Sequence, residues 1–531
     1  MKIMRYFSSY GPVKRNEHFY VHRTNLINHT YQQLMGNNSS KDGHYITVWA
    51  PRQTGKTWIM QEVFDKIKQN DSYEIVFMDM QSAKEIKTDN DILEFFIKKL
   101  KKKIGRDLPE IKQWQYLDEI YEKQFFPKPL ILILDEFDSL KEEFINKFAN
   151  VFRTIYISRA SQHPMNSNEK DYMLHGLALI GIRSVLGIEN ITGSPFNIQR
   201  SIKIPNFDQN EITFLFNEYT KESGQTIEQD VVQKIYNEFK GQPGLTCWFG
   251  ELLTEQYNEH PDQYITMKDF RKAYALALHV LPNNNVTNII SKSKVSPYKD
   301  RLLELFKTDE IMHFSFDEPV LTYLYMTGII DYDRQESNEI WVKFQSPFIQ
   351  KRLFHYFSKD IFNTMGQLMD PFTPIDEIIS TDHMDIKALI KLYENYLSKN
   401  KDWLFKDVPR RNDLRIYEAV YHFNFYMFLN NIIKSEGQVY PEFPTGNGKV
   451  DLFIQYHHKK YAIELKSFSN LRDYNIAIIK AQKYAQQLNL TEISLVFFID
   501  SISDNNREQF EKTIFDEQTG IAVNSIFVAF Q

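Results

Sequence analysis

Hydrophobic and polar positions along the first third of the chain alternate between two periods. The runs Tyr45–Trp49 (YITVW), 75–80 (IVFMDM), 130–134 (LILIL) and 177–182 (LALIGI) are short and apolar, the pattern of strands buried on both faces. Residues 57–69 and 91–103 carry apolar positions at helical spacing instead. Strands alternating with helices predict a parallel α/β sheet. After Pro205-Asn206-Phe207 the strand signals stop, and 208–277 reads as several helices. Asp208 is the expected N-cap of the first, with Glu211 three residues later and an apolar run behind it.

Residues 282–285 (PNNN) and 291–297 are polar and read as a linker. The segment 298–357 predicts two or three helices and then a β pair around 328–333 and 340–344, the order of a winged helix. A helical connector follows to about residue 400. Beyond it, 418–433 reads as a helix, 450–456 and 461–466 as paired strands, 476–488 as a helix and 493–499 (ISLVFFI) as a buried strand. The expectation is an α/β multi-domain chain: a parallel-sheet domain over 1–206, a helical lid over 207–290, a winged helix over 298–357, a connector over 358–400 and a second α/β domain over 401–531.

Composition adds bounds. The 531 residues correspond to three or four domains at about 150 residues each. With 42% hydrophobic and 25% charged residues, wholesale disorder is excluded. Cys247 is the single cysteine, so an intrachain disulfide framework is excluded and a reducing compartment is consistent. No apolar run approaches the roughly 20 residues of a membrane span, and MKIMRYFSSYGPVKRNEHFY lacks a secretory apolar core. A cytoplasmic protein without membrane contact is therefore expected. The net charge of −6 confines any nucleic-acid contact to a local basic patch.

The segment Ala50-Pro51-Arg52-Gln53-Thr54-Gly55-Lys56-Thr57 lies between a predicted strand and a predicted helix. Such a loop wraps phosphates with backbone N–H groups at a helix N-terminus. Lys56 would reach the β and γ phosphates, and Thr57 would offer its hydroxyl to Mg²⁺. The usual first glycine is Ala50 here. The apolar run 130–134 ends in Asp135-Glu136, two carboxylates that are costly at a buried strand end unless a cation or hydrogen bonds satisfy them. Asp135 would sit in the Mg²⁺ shell and Glu136 would polarise the attacking water of ATP hydrolysis. Arg183, after LALIGI, reads either as a group near the γ-phosphate or as a surface arginine, and Arg23 as a contact to the base.

The first 250 or so residues resemble an AAA-like ATPase domain of the STAND-related type. The resemblance is carried by APRQTGKT, LILILDEFD, Ser194-Pro195-Phe196-Asn197 leading into IKIPNF, and Gly241-Gln242-Pro243-Gly244-Leu245. It implies a P-loop NTPase sheet with ATP held by Arg52, Gln53, Thr54, Gly55, Lys56, Thr57 and Asp135, a helical lid, and an ATP-controlled switch followed by a winged helix.

The second constellation is Gly448-Lys449-Val450-Asp451 followed by Glu464-Leu465-Lys466. Glu464 and Lys466 stand two apart on one strand and so share a face. A hairpin through His457-His458-Lys459-Lys460 brings Asp451 close to Glu464. Two carboxylates at close range repel unless a divalent ion joins them, and oxygen ligands suit Mg²⁺ or Mn²⁺. Lys466 would stabilise charge developing on a phosphate. His457 and His458 read as a solvated turn rather than ligands. Residues 400–531 resemble the PD-(D/E)XK nuclease core, with Glu418 matching the extra acidic residue of its first helix. The departures are Val450 where proline is common and Lys480 where a QxxxY motif has its glutamine. The resemblance implies a restriction-endonuclease-like α/β/α domain with catalytic Asp451, Glu464, Lys466 and Glu418.

Two phosphate-handling sites in one chain suggest an ATPase that gates a Mg²⁺-dependent endonuclease, with DNA favoured over RNA as the partner. The competing readings are a signalling switch or scaffold with a degenerate nuclease fold, and a nuclease acting on RNA. Homo-oligomerisation is left open by the sequence.

Overall fold

The computed structural model describes residues 5–8, 10–181, 200–260, 262–306, 312–334, 339–370, 373–380, 383–413, 415–433, 437–445, 448–468 and 470–529. Arg183 and Ser194-Pro195-Phe196-Asn197 lie outside the described residues. The chain forms two compact units. One comprises Met1–Ile289 with Ser315–Asp331 and Gln345–Pro347. The other comprises Ile290–Phe314, Tyr332–Phe344 and Phe348–Gln531. Among the described residues no helix is long and apolar enough to cross a membrane.

The first unit holds a five-stranded parallel sheet in the order Glu74–Asp79, Leu130–Asp135, Leu174–Gly181, Tyr45–Trp49, Arg200–Lys203. The three central strands are buried at every position because successive side chains serve opposite layers. Leu130, Leu132 and Leu134 pack with Phe96 and Phe148. Ile131 and Ile133 pack on the other face with Ile59 and Val63 of the helix Lys56–Lys68. The helices Gln209–Ser223, Gln229–Phe239, Pro243–Glu251 and Met267–His279 follow. The first of them opens with the expected Asp208/Glu211 capping box.

The polar stretch expected as a linker differs. Asn284–Ser293 is a helix, because the Asn283 side chain accepts hydrogen bonds from the backbone of Asn285 and Val286 and so caps it. The segment expected as a winged helix contributes helices Tyr298–Leu305, Pro319–Met326 and Pro347–Ile361 and a two-stranded sheet of Ile330–Arg334 and Ile340–Phe344. Within the first unit, Tyr325 meets Trp49 edge-on at 5.8 Å, and its hydroxyl accepts from Lys203 Nζ at 2.5 Å. A Cβ on Gly328 (φ +77°) would lie 2.7 Å from Pro51 Cβ. The segment Ser315–Asp331 thus touches the phosphate loop itself.

The second unit is built on a mixed six-stranded sheet. Gly437–Pro444, Lys449–Tyr456 and Lys459–Ser467 run antiparallel to one another. Glu492–Ile499 and Ile521–Ala529 continue in parallel, and Thr513–Asp516 closes the far edge antiparallel. Helix Leu471–Gln487 covers one face with Tyr474, Ala477, Ile478, Ala481 and Ala485 against Leu495, Phe497 and Phe527. The small residues four apart let the helix approach closely. On the other face Phe498 meets Tyr421 of helix Glu418–Ile433 at 4.9 Å and Tyr393 of helix Ile386–Leu404 at 6.3 Å. The sheet is sandwiched, and the aromatic-rich composition is spent on these layers.

Candidate nucleotide and metal sites

The phosphate loop leaves Tyr45–Trp49 and ends at Gly55, whose left-handed backbone (φ +86°) starts the helix Lys56–Lys68. Thr54 Oγ1 donates to the Pro51 carbonyl at 2.8 Å, closing the turn. Lys56 is nearly buried, and its ammonium donates to the carbonyls of Ala50 (2.9 Å) and Pro51 (3.0 Å). Thr57 Oγ1 donates to Asp135 Oδ2 at 2.7 Å. The strand Leu174–Gly181 lies between the strands that deliver these two residues, so the sheet order, not sequence proximity, brings them together. Their oxygens converge as a Mg²⁺ shell requires, and Thr57 and Asp135 would hold that ion with ATP.

Glu136 follows with a left-handed backbone (φ 51°), and its N–H donates to Asp135 Oδ1 at 2.9 Å. Burial raises the Asp135 pKa against the opposing hydrogen bond from Thr57. Burial, then the charges of Asp138 and Asp135, raises that of Glu136. Burial lowers that of Lys56. This is the strained, partly desolvated surrounding in which a carboxylate gains basicity toward water.

The lid segment named from the sequence reaches the loop. Gln242 Nε2 donates to the Arg52 carbonyl at 2.9 Å and the Gln53 carbonyl at 3.3 Å, and Gly244 N–H donates to the Gln53 carbonyl at 2.9 Å. A Cβ on Gly244 would lie 2.5 Å from Gln53 Cβ, so only glycine permits this approach. Arg23 instead pairs with Glu211 at 2.8 Å and donates to the carbonyls of Pro205 and Asn206. It ties the N-terminal segment to the start of the lid.

The raised Glu136 pKa has a stability consequence with a defined sign. A carboxyl that binds its proton more tightly when folded favours unfolding once the unfolded chain ionises. Stability is lost as pH climbs from the ordinary carboxylate range through the raised folded value. Glu136→Gln is expected to flatten that loss, giving a higher Tm than the parent at pH 7 without nucleotide. It should keep ATP binding while losing turnover. Thermal unfolding between pH 4 and 8 checks the first effect, and a Tm no higher than the parent's at pH 7 would contradict it.

In the second unit Asp451, Glu464 and Lys466 are all buried, at 2%, 0% and 3% exposure. The antiparallel pairing of Leu452 with Ile463 sets Asp451 beside Glu464. Lys466 Nζ stands 2.8 Å from Glu464 Oε1 and 3.8 Å from Asp451 Oδ2. Backbone donors orient both carboxylates. Leu465 N–H donates to Asp451 Oδ2 at 2.7 Å, and Asp451 N–H donates to Glu464 Oε2 at 3.3 Å. Glu418 Oε2 accepts from Ser467 N–H at 3.0 Å, one residue beyond Lys466. Two carboxylates and a lysine from two adjacent strands are thus gathered, and Glu418 of the helix anchors the strand one residue beyond them. His457 and His458 occupy the turn between the strands.

Two further buried groups were not foreseen. His422, one helical turn after Glu418, and Glu442, on the edge strand, come within reach of Asp451. Their signal in the sequence was faint: a histidine in an apolar helix and a lone acid between Pro441 and Phe443.

The sequence profile of the AAA-like domain family matches residues 8–258. Residues 8–258 form an AAA-like domain. The match spans the phosphate loop, Asp135-Glu136 and the Gln242 contact, and an AAA-like P-loop domain supports an ATPase function. Comparison with curated proteins finds no match. Among solved structures, the chain is similar to a Walker-type ATPase of Pyrococcus abyssi at 12% identity, covering 65% of this chain and 99% of that one, with a TM-score of 0.44. It is also similar to the ORC1 protein of Aeropyrum pernix in complex with DNA (14% identity, 63% and 92% covered, TM-score 0.33). RuvB of Thermotoga maritima is a third similar structure (12%, 60% and 92%, 0.33).

Proposed function

We propose that the chain couples its AAA-like ATPase to a divalent-metal-dependent endonuclease that cuts phosphodiester bonds in DNA, with ATP state gating the cut. The observation that carries this reading is the burial of Asp451 and Glu464 side by side with Lys466 on adjacent strands. Charged groups in that number inside a sheet are expensive and recur where chemistry requires them.

The order of elements supports a restriction-endonuclease-like domain: helix Glu418–Ile433, three antiparallel strands, helix Leu471–Gln487, then the parallel strand Glu492–Ile499. In this reading Asp451 and Glu464 hold Mg²⁺ or Mn²⁺. The ion supplies an acidified water and a counter-charge for the phosphate. Lys466 keeps Glu464 oriented and faces the charge that develops on the phosphate. Glu418 fixes the strand end at Ser467 and adds a carboxylate at the mouth. The contacts of Tyr325 and Gly328 with Trp49 and Pro51 support gating. The segment they belong to, part of the expected winged helix, continues directly into Tyr332–Phe344.

The test is cleavage of supercoiled, linear and single-stranded DNA and of RNA with Mg²⁺ or Mn²⁺, with and without ATP. DNA cleavage that needs the ion and changes rate with ATP is expected. Absence of cleavage on every substrate and nucleotide condition overturns the nuclease reading, and cleavage of RNA alone moves the substrate.

A further inference from the structure

Three buried side chains from three elements converge on one point. His422 comes from the helix Glu418–Ile433, Glu442 from the edge strand and Asp451 from its neighbour. One ligand atom of each lies within 4.8 Å of the others, and each residue is at most 3% exposed. We propose that His422, Glu442 and Asp451 form a cation position of their own, next to the Glu464–Lys466 side. Its mixed nitrogen and oxygen donors would select a first-row transition ion such as Mn²⁺ over Mg²⁺ or Ca²⁺.

The first support is the histidine tautomer. His422 Nε2 lies 3.0 Å from the Asp451 carbonyl oxygen. A carbonyl only accepts, so Nε2 carries its hydrogen. A neutral ring then turns the lone pair of Nδ1 toward Glu442 Oε1, 3.4 Å away. Two acceptors facing each other in a buried site call for a cation between them or a proton on one of them.

The second support is Glu442 itself. Its Oε2 accepts from Gln350 Nε2 at 2.7 Å and pairs with Lys449. Its Oε1 receives no hydrogen bond among the described residues. The third is the backbone. Glu442 has φ +55° inside a strand, a left-handed conformation that a non-glycine residue holds only where the surroundings impose it. Strict alternation would put Tyr440 and Phe443 on opposite faces, yet both rings reach Phe453, at 6.4 and 4.3 Å. The irregularity turns Phe443 to that face and sends Glu442 toward His422. The charges agree: the buried carboxylates Glu442, Asp451 and Glu464 face the two ammonium groups of Lys449 and Lys466.

This position shares Asp451 with the proposed nuclease site but does not depend on nuclease activity. The test is Mn²⁺ titration of the full-length, nucleotide-free protein followed by pulsed electron paramagnetic resonance. Expected is a ¹⁴N coupling from directly bound imidazole that disappears in His422→Gln and persists in Glu464→Gln. Glu442→Gln should weaken that Mn²⁺ by at least about tenfold, as loss of groups around a metal does. Bound Mn²⁺ without imidazole coupling, or coupling unchanged in His422→Gln, overturns the proposal and makes His422 a protonated partner of Glu442. If His422→Gln does not fold, judged by its circular dichroism, Glu442→Gln decides alone. A chain that shows the coupling yet cuts no nucleic acid keeps this site and loses the nuclease reading. A chain that cuts without the coupling does the reverse.

Discussion

Lys56→Ala is expected to lower ATP turnover by about 10²–10³-fold, the usual effect of deleting one electrostatic contact to a reacting centre. Lys56 sits at the first turn of the helix Lys56–Lys68 with its ammonium folded onto the Ala50 and Pro51 carbonyls. In a phosphate loop this residue would reach the β and γ phosphates of the bound nucleotide. Burial already lowers its pKa, so desolvation of the cation offsets much of what its two carbonyl contacts contribute to the fold. Its removal should therefore leave the AAA-like domain folded, with Tm within a few degrees of the parent. Phosphate release at saturating ATP measures the first effect and calorimetry the second. Turnover within threefold of the parent would show that the loop does not work as a phosphate cradle. The same variant tests gating: if it cuts DNA as fast as the parent under every nucleotide condition, the two activities are independent.

How much of this was legible in the sequence depends on the element. The central strands were, because a run such as 130–134 is apolar at every position only when both faces are covered, and both are. The chemistry of Thr57 and Asp135 was legible as residue types at suitable places. Their contact was not, because it depends on Leu174–Gly181 inserting between their strands. The strand before the hairpin, Gly437–Pro444, could not be given bounds from the sequence for a local reason. Pro441 and Pro444 argue against a strand, since proline cannot donate to the ladder. An edge position removes that objection, and the sheet places this strand at its edge. Without bounds for the strand, Glu442 had no face to be assigned to. The helix Asn284–Ser293 was hidden by asparagines that read as loop until one of them acts as the cap. The hairpin that carries Asp451, Glu464 and Lys466 was readable because two-residue spacing on a strand fixes a face. Their near-complete burial was not, since it depends on helices from both sides of the sheet.

That burial makes Lys466→Ala the most severe single change in the second unit. The lysine stands 2.8 Å from Glu464 and 3.8 Å from Asp451. Its removal leaves two carboxylates side by side in a site that water barely reaches. Breaking a buried pair by deleting one partner costs about 3–5 kcal/mol, so a clear fall in Tm is expected together with loss of cleavage, while ATP turnover persists. A divalent ion separates the two explanations of the site. If the carboxylates are metal ligands, the orphaned pair should bind Mn²⁺ more tightly than the parent does, and millimolar Mn²⁺ should recover much of the lost Tm without restoring cleavage. If the three charges are only a structural ion cluster, Mn²⁺ should raise the variant's Tm no more than it raises the parent's. In that case the double change Glu464→Gln with Lys466→Met, which removes one charge of each sign and leaves Asp451 with its backbone donor Leu465, should restore stability on its own. Calorimetry of the parent, the single and the double variants with and without Mn²⁺ decides between them, because only metal ligation by Asp451 and Glu464 makes the lysine variant gain more Tm from the ion than the parent does.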